Sequence, residues 1–270
     1  ELEGVVDCMP LLLALNLKMD TFVGFNVVVI GGGNAAIDAA RAAFRSSARA
    51  VTIFYRRTKA EMPAIPEEVE EAIREGVKIE FLTIPVEILG DGGRVIGIRC
   101  QRTELSEEIT AKSGHEPEPI PGTDFVMDAD HVVVAIGQAP NAPQLNMTSL
   151  AVDNTGVIKV NPSTLETSIP GVFAGGDCVT GPNNVVEAMA AGLRAAESIN
   201  RYMQGQDLEV GRSLEPPKIA EIDIETMEVS PYPRAPMPVI RLRKRINSFE
   251  ETTTGLSVEA ARKEAQRCLN

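Results

Sequence analysis

The chain runs "NVVVIGGGNAAIDAARAAFR" from Asn26 to Arg45, and no other stretch restricts the fold as tightly. An unbroken apolar run, Val27 to Ile30, needs cover on both faces, which marks a strand inside a parallel sheet. Three glycines then turn the chain into an alanine-rich run carrying Ile37 and Phe44, with the spacing of a helix. Strand, glycine turn and helix in that order open a βαβ unit. Gly31 permits the tight turn, Gly33 leaves the backbone open to a pyrophosphate, and Ala36 stands where the third small residue of G-x-G-x-x-G/A belongs. The amides of Asn34, Ala35 and Ala36 would face the phosphates, with the helix dipole behind them. Such a motif alone is weak. In this context it points to a bound dinucleotide.

The pattern continues with "AVTIFY" as a second strand, "IPEEVEEAIREG" as an acidic helix and "VKIEFL" as a third strand. Next, "PVEILGDGGRVIGIRC" reads as a hairpin turning at Asp91-Gly92-Gly93. The second strand ends "VTIFYRRT". An NAD-binding unit usually places an acid there for the ribose hydroxyls; here Tyr55 is followed by Arg56 and Arg57. Two guanidiniums suit a 2′-phosphate, so the expected coenzyme is NADP. Glu104 to Asp124, rich in Glu, Pro, Gly and Ser, reads as an exposed loop. "DHVVVAIG" and "GVFAGGD" read as two further buried strands. A helix from Val185 to about Met203 follows, with Val185, Met189, Leu193, Ala196, Ile199 and Met203 on one face. Beyond Gln204 comes a proline-rich tail with an isolated last helix around Ser257 to Cys268.

A net charge of −12 argues against broad nucleic-acid binding, though arginines and helix N-termini can still hold a small anion. No apolar run approaches the roughly 20 residues of a membrane span, and no secretory leader is visible, so the expected setting is cytoplasmic. Cys8, Cys100, Cys178 and Cys268 form no C-x-x-C, which leaves no visible dithiol or compact metal site. "RLRKR" at Arg241 to Arg245 reads as a solvated patch or a docking strip on a partner. His115 and His131 have no nucleophile or ligand set beside them in sequence and are read as structural.

Four segments in sequence order, "VVVIGGGNAAID", "VTIFYRRTKAEMPA", "VVVAIGQAPN" and "TSIPGVFAGGDCVTGPNNVVEAMAAG", resemble the glutamate synthase small-subunit family of FAD-dependent pyridine nucleotide oxidoreductases. The resemblance covers residues 1 to about 205. It implies an α/β fold: a Rossmann-like three-layer NAD(P)-binding domain with the C-terminal part of a second, FAD-binding α/β domain. By the same resemblance Asp177 would bond the ribityl chain of FAD, and Gly176 would let its phosphates pass near the backbone. The amides at Asn184 and Val185 would face the electron-rich edge of the flavin ring, and Gly137 would mark the crossover between the domains. The family usually has Thr where Asn183 or Asn184 stands, which puts a hydroxyl contact in doubt. Cys178 has no family role.

The implied domains are 1–24, an entry linker with a short helix near Leu11 to Leu15; 25–124, binding NADP; 125–205, the C-terminal part of the FAD domain; and 206–270, the tail. No second glycine fingerprint occurs, so Glu1 reads as a start just past the missing FAD half. "RCLN" at the end resembles the family's approach to an iron–sulfur module, for which Cys268 would be a ligand. The implied function is hydride transfer between NADPH and FAD, with electrons passed to an iron–sulfur protein or domain. No side chain is nominated as catalytic, because the cofactors carry the chemistry. Two alternatives remain: a nucleotide-binding module inactive without the rest of a flavoprotein or a partner subunit, and a dithiol reductase, which Cys8 alone cannot support.

Overall fold

The computed structural model describes residues 2–19, 21, 23–110, 114–139, 149–212 and 233–267. The chain divides into two compact units, residues 1–137 with 228–270, and residues 138–227. In the first, five strands lie parallel in the order β1 (Val5–Asp7), β9 (His131–Val134), β2 (Asn26–Ile30), β3 (Ala50–Tyr55), β4 (Lys78–Phe81). Helices α1 (Cys8–Asn16), α2 (Asn34–Arg45) and α3 (Pro66–Glu75) pack on one face. The other face carries an antiparallel sheet of β5 (Thr83–Asp91), β6 (Arg94–Thr110), β7 (Gly114–Pro119) and β8 (Phe125–Asp128).

Strand alternation divides the core between these layers. Val27, Val29, Val51, Ile53 and Val133 meet Leu11, Ile37, Ala40 and Val69 on the helical side. Val28, Phe54 and Val132 meet Val95, Ile98 and Cys100 on the other. The unbroken apolar run of β2 is thereby explained, since each of its faces has a partner layer. Pro66 in the first turn and the left-handed Gly76 after the last set the limits of α3. The hairpin forms as read, with Gly92 and Gly93 at φ 54° and 82° between paired Asp91 and Arg94.

Four segments differ from the sequence reading. The short helix expected near Leu11 to Leu15 forms as α1, but it and Val5–Asp7 belong to the sheet and its helical layer rather than to a linker. The strand of "DHVVV" enters between β1 and β2, so the first unit closes at Gly137 and not at 124. The loop expected at 104–124 is largely an antiparallel pair of β6 and β7; two of its three prolines, Pro117 and Pro119, lie on an outer strand, where a missing N–H is tolerated. "GVFAGGD" makes one isolated bridge, Glu166 to Phe173, rather than a strand.

The tail also folds back. Helix α6 (Leu242–Arg245) packs on α3, and α7 (Val258–Ala265) is capped by Ser257, whose hydroxyl accepts from the Ala260 amide. Arg245, expected in solvent or on a partner, is buried. It pairs with Glu71 and lies 3.7 Å from Glu75. The Glu75 side chain is 1% exposed and receives Arg41 through two bonds of 2.9 and 2.7 Å, with Arg45 at 3.4 Å. The cluster thus joins α2, α3 and the tail. Cys268 lies outside the described residues.

The second unit contains α4 (Asp177–Thr180) and α5 (Val185–Met203). Its α5 packs through small residues: Ala191 comes close to Gly175, and the buried Ser198 hydroxyl donates to Thr164 O at 2.5 Å. The apolar face read from the sequence is open instead, with Val185, Met189, Leu193 and Met203 at 73, 65, 75 and 78% exposure.

Removing a partner from a buried ion cluster strands the remaining charges. Glu75→Ala is expected to lower stability by about 3–5 kcal/mol. Glu87→Ala, which breaks an exposed pair with Arg99, should cost less than about 1 kcal/mol. Urea unfolding of both variants compares the two.

Candidate dinucleotide-binding site

The ends of β2 and β3 are held level by pairing of Ile30 with Phe54 and by the Gly31 amide donating to Phe54 O at 3.0 Å. The glycine turn and Arg56 therefore leave the sheet at one edge. Each glycine of the turn has its own reason. Gly31 sits at φ 143°, and a Cβ there would lie 2.2 Å from Ala135 O. A Cβ on Gly32 would lie 2.3 Å from the ring of Tyr55. A Cβ on Gly33 would meet no atom within 4 Å, so the space above that residue is open from within the protein.

Gly33 is also the N-cap of α2, in extended conformation with no side-chain cap. Among the described residues, the Asn34 and Ala35 amides have no hydrogen-bond partner. Ala36 differs from expectation: its N–H donates to Gly33 O at 3.0 Å and closes the first turn. Two open amides at a helix N-terminus under a bare glycine make a seat for an anion.

The loop after β3 braces this seat. Asn34 Oδ1 accepts from the Ile65 amide at 2.9 Å, and Gly32 O accepts from the Ala64 amide at 3.1 Å. The buried Tyr55 covers Gly32 and donates its hydroxyl proton to Glu61 O at 2.7 Å. Thr58 and Glu61 form a capping box, with Thr58 Oγ1 donating to Glu61 Oε2 at 3.0 Å. That box was readable as T-x-x-E. The Tyr55 and Asn34 braces had no local signal.

Arg56 is exposed, and among the described residues its guanidinium has no partner. Arg57 is half-buried, and its Nε donates to His115 O on β7 at 2.8 Å. Sequence reasoning placed both arginines at the coenzyme; the structure ties one of them to a neighbouring strand. Cysteine chemistry is absent from this corner. Cys8 donates through Sγ to Ala35 O at 3.2 Å, while burial, then the Asp38 carboxylate, push its thiol above the ordinary range. Burial pushes Cys100 up to about 12. Both remain neutral thiols.

Gly137 is the last residue of the first unit, at φ 110°. In the second unit Gly176 takes φ 74° immediately before α4. Asp177 is exposed and accepts from the Asn183 amide at 3.3 Å. Asn184 caps α5 by accepting from the Glu187 amide at 2.9 Å, so its side chain serves the helix. Val185 opens α5, with its side chain exposed. The Gly175–Gly176 turn, Val179, Thr180 and α5 at Glu187 to Arg194 line a shallow cleft.

A family model described as pyridine nucleotide-disulphide oxidoreductase matches residues 12–192. The chain belongs to that family. It is 42% identical to the NADP(+)-dependent formate dehydrogenase subunit beta of Moorella thermoacetica, over 98% of this chain and 38% of that protein. It is 35% identical to the glutamate synthase [NADPH] small chain of Escherichia coli (strain K12), over 75% of this chain and 46% of that protein. Thus it spans less than half the length of these relatives. The resemblance read from the four motifs holds. Thioredoxin reductase of T. acidophilum superposes with a TM-score of 0.52 at 26% identity, over 67% of this chain and 52% of that one. The α/β Rossmann-like class of this family member is thereby shown.

The turn makes opposite demands at adjacent glycines. Gly32→Ala must push the Tyr55 ring aside and is expected to cost about 1–3 kcal/mol of stability. Gly33→Ala has room for its methyl and should melt close to the wild type, yet lose dinucleotide binding. Thermal melts with and without coenzyme separate the two effects.

Proposed function

We propose that this chain supplies the NADPH-binding unit, and part of an FAD-binding unit, of an oxidoreductase that exchanges hydride between NADPH and FAD. In this reading electrons continue to an iron–sulfur protein or domain, as in a glutamate synthase small chain, and the setting is cytoplasmic. The observation that carries it is the unpartnered Arg56 beside the open Gly33 turn. Gly31, Gly33, Asn34, Ala35 and Ala36 form the pyrophosphate seat, with the Asn34 and Ala35 amides as donors. Arg56, with Arg57, takes the 2′-phosphate, and no acid stands in their place to repel it.

Flavin, when bound, supplies the conversion between two-electron hydride and single-electron chemistry. The residues present fit part of that group. Gly176 adds no side chain at a turn beside the cleft, Asp177 keeps one carboxylate oxygen uncommitted, and the amide of Val185 opens a 19-residue helix. Gly137 carries the chain out of the first unit toward them in sequence. These residues bind and orient, and no proton transfer by a side chain is required.

A second reading is favoured by α5. Its open face of Val185, Met189, Leu193 and Met203 needs cover from the rest of a flavoprotein or from a partner subunit. The chain alone is then a nucleotide-binding module without activity. Its purified form is expected to bind NADPH and remain colourless. Stoichiometric flavin in the purified chain overturns the module reading and leaves the first.

Coenzyme choice is tested by titrating NADPH and NADH into the wild type and the doubly substituted Arg56→Ala, Arg57→Ala chain. Charge-assisted hydrogen bonds of about 1.5–3 kcal/mol correspond to a roughly 10–150-fold loss of NADPH affinity. NADH should be unaffected. A variant that keeps its preference for NADPH overturns the assignment.

A further inference from the structure

The two arginines are held from behind by the antiparallel sheet. Arg56 O accepts from Thr103 Oγ1 at 2.9 Å, and Arg57 O accepts from the Leu82 amide at 3.1 Å. Leu82 O in turn accepts from the Thr103 amide at 2.9 Å. Leu82 has φ 50°, a left-handed conformation unusual for a branched side chain, at the handover from β4 to β5. Thr103 is 2% exposed. Its hydroxyl holds the Arg56 carbonyl directly, and its amide holds Leu82, whose own amide holds the Arg57 carbonyl.

The neighbouring strand holds the Arg57 side chain. Its Nε bond to His115 O leaves both Nη groups uncommitted. His115 is itself fixed to β6, where Nδ1 donates to Ser106 O at 2.8 Å and the Glu116 amide donates to Ser106 Oγ at 3.1 Å. The nearby Arg102 is otherwise engaged, with Glu80 at 2.9 Å, Thr83 Oγ1 at 2.8 Å and the Phe125 ring 4.8 Å beneath it. Glu61 is turned to Thr58. Among the described residues, the exposed Arg56 guanidinium and the Nη end of Arg57 thus remain without a protein partner, while their backbone is held from behind.

We propose that the β6–β7 pair is part of the coenzyme-selecting site, with Thr103 and the backbone at His115 as positioning residues for the recognition of a 2′-phosphate by Arg56 and Arg57. Thr103 touches no ligand. It acts by keeping the carbonyl of Arg56 turned into the protein, so that the guanidinium keeps its outward aim. Arg57 acts as a fork with one prong anchored, a planar geometry of separated donors that a lysine, with all three donors on one nitrogen, does not reproduce. The inference rests on the NADPH reading above.

The test uses the full chain and two small probes, 2′,5′-ADP, which carries the discriminating phosphate, and 5′-AMP, which lacks it. Calorimetry on Thr103→Val should show about a tenfold loss for 2′,5′-ADP, the size of one lost buried hydrogen bond, with 5′-AMP within about twofold of wild type. Thr103→Ser, which restores the hydroxyl, should recover most of that loss. Arg57→Lys should fall as far as Arg57→Ala.

Unchanged discrimination in Thr103→Val, an equal loss for both probes, or failure of Thr103→Ser to recover overturns the role of Thr103. Wild-type binding by Arg57→Lys overturns the His115 anchor, and that arm stands even if Thr103→Val does not fold. Arg56→Ala is the control for the underlying reading. If it binds 2′,5′-ADP as well as wild type, the coenzyme assignment itself fails; if it weakens while Thr103→Val does not, only the positioning role fails.

Discussion

Burial of β2 on both faces is the constraint on which the rest of the first unit depends. Val27 and Val29 need the helices, Val28 needs the antiparallel sheet, and each layer is incomplete without the strand between them. Once β2 is central, its register with β3 is set by Ile30 opposite Phe54. A slip of one residue would turn Phe54 toward the helices and Ile53 away from them. The same register brings the glycine turn and Arg56 to one edge. Core packing and the candidate site are therefore two results of a single alignment.

Legibility in the sequence followed the range of the interactions. The glycine turn, α2, α3 with its terminal Gly76, and the Gly92–Gly93 hairpin were visible because a few adjacent residues specify each. The second strand pair was not, since Pro117 and Pro119 look like loop until one sees that β7 is an outer strand. His131–Val134 reads as a buried strand on its own, but its place between β1 and β2 is decided by neighbours far away in the chain. The arginines were readable as a pair. Their unequal roles were not, because the His115 carbonyl that separates them is a backbone group with no residue signature.

"RLRKR" shows the same limit for charge. A basic run is ordinarily a solvated face, and Arg241, Arg243 and Lys244 fit that expectation. Arg245 is buried because Glu71 and Glu75 on α3 compensate its charge, while Arg41 and Arg45 share Glu75 from α2. A cluster of this kind gives little net stability compared with apolar packing, since each ion must leave water. Its value lies in geometry: an apolar contact would allow α6 to slide along α3, whereas a buried guanidinium accepts few positions. The tail is thereby fixed to α3 and, through Glu75, to α2, the helix that the glycine turn opens.

The second unit presents the reverse case, an element whose local pattern is correct and whose large apolar side chains stay exposed. Helix α5 forms over the residues its periodicity indicates, and its small side, Ala191 and Ser198, packs on the Gly175 turn and on Thr164. Large apolar residues on the opposite side would be the interior side in a complete domain, because only there could they replace water contact with protein contact. A strand such as "GVFAGGD" fails for a related reason: one bridge to Glu166 cannot replace a sheet on both edges. Both observations agree with a chain that spans 38 and 46% of its two relatives' lengths. The first unit, by contrast, closes its core from its own residues, on both faces of its parallel sheet.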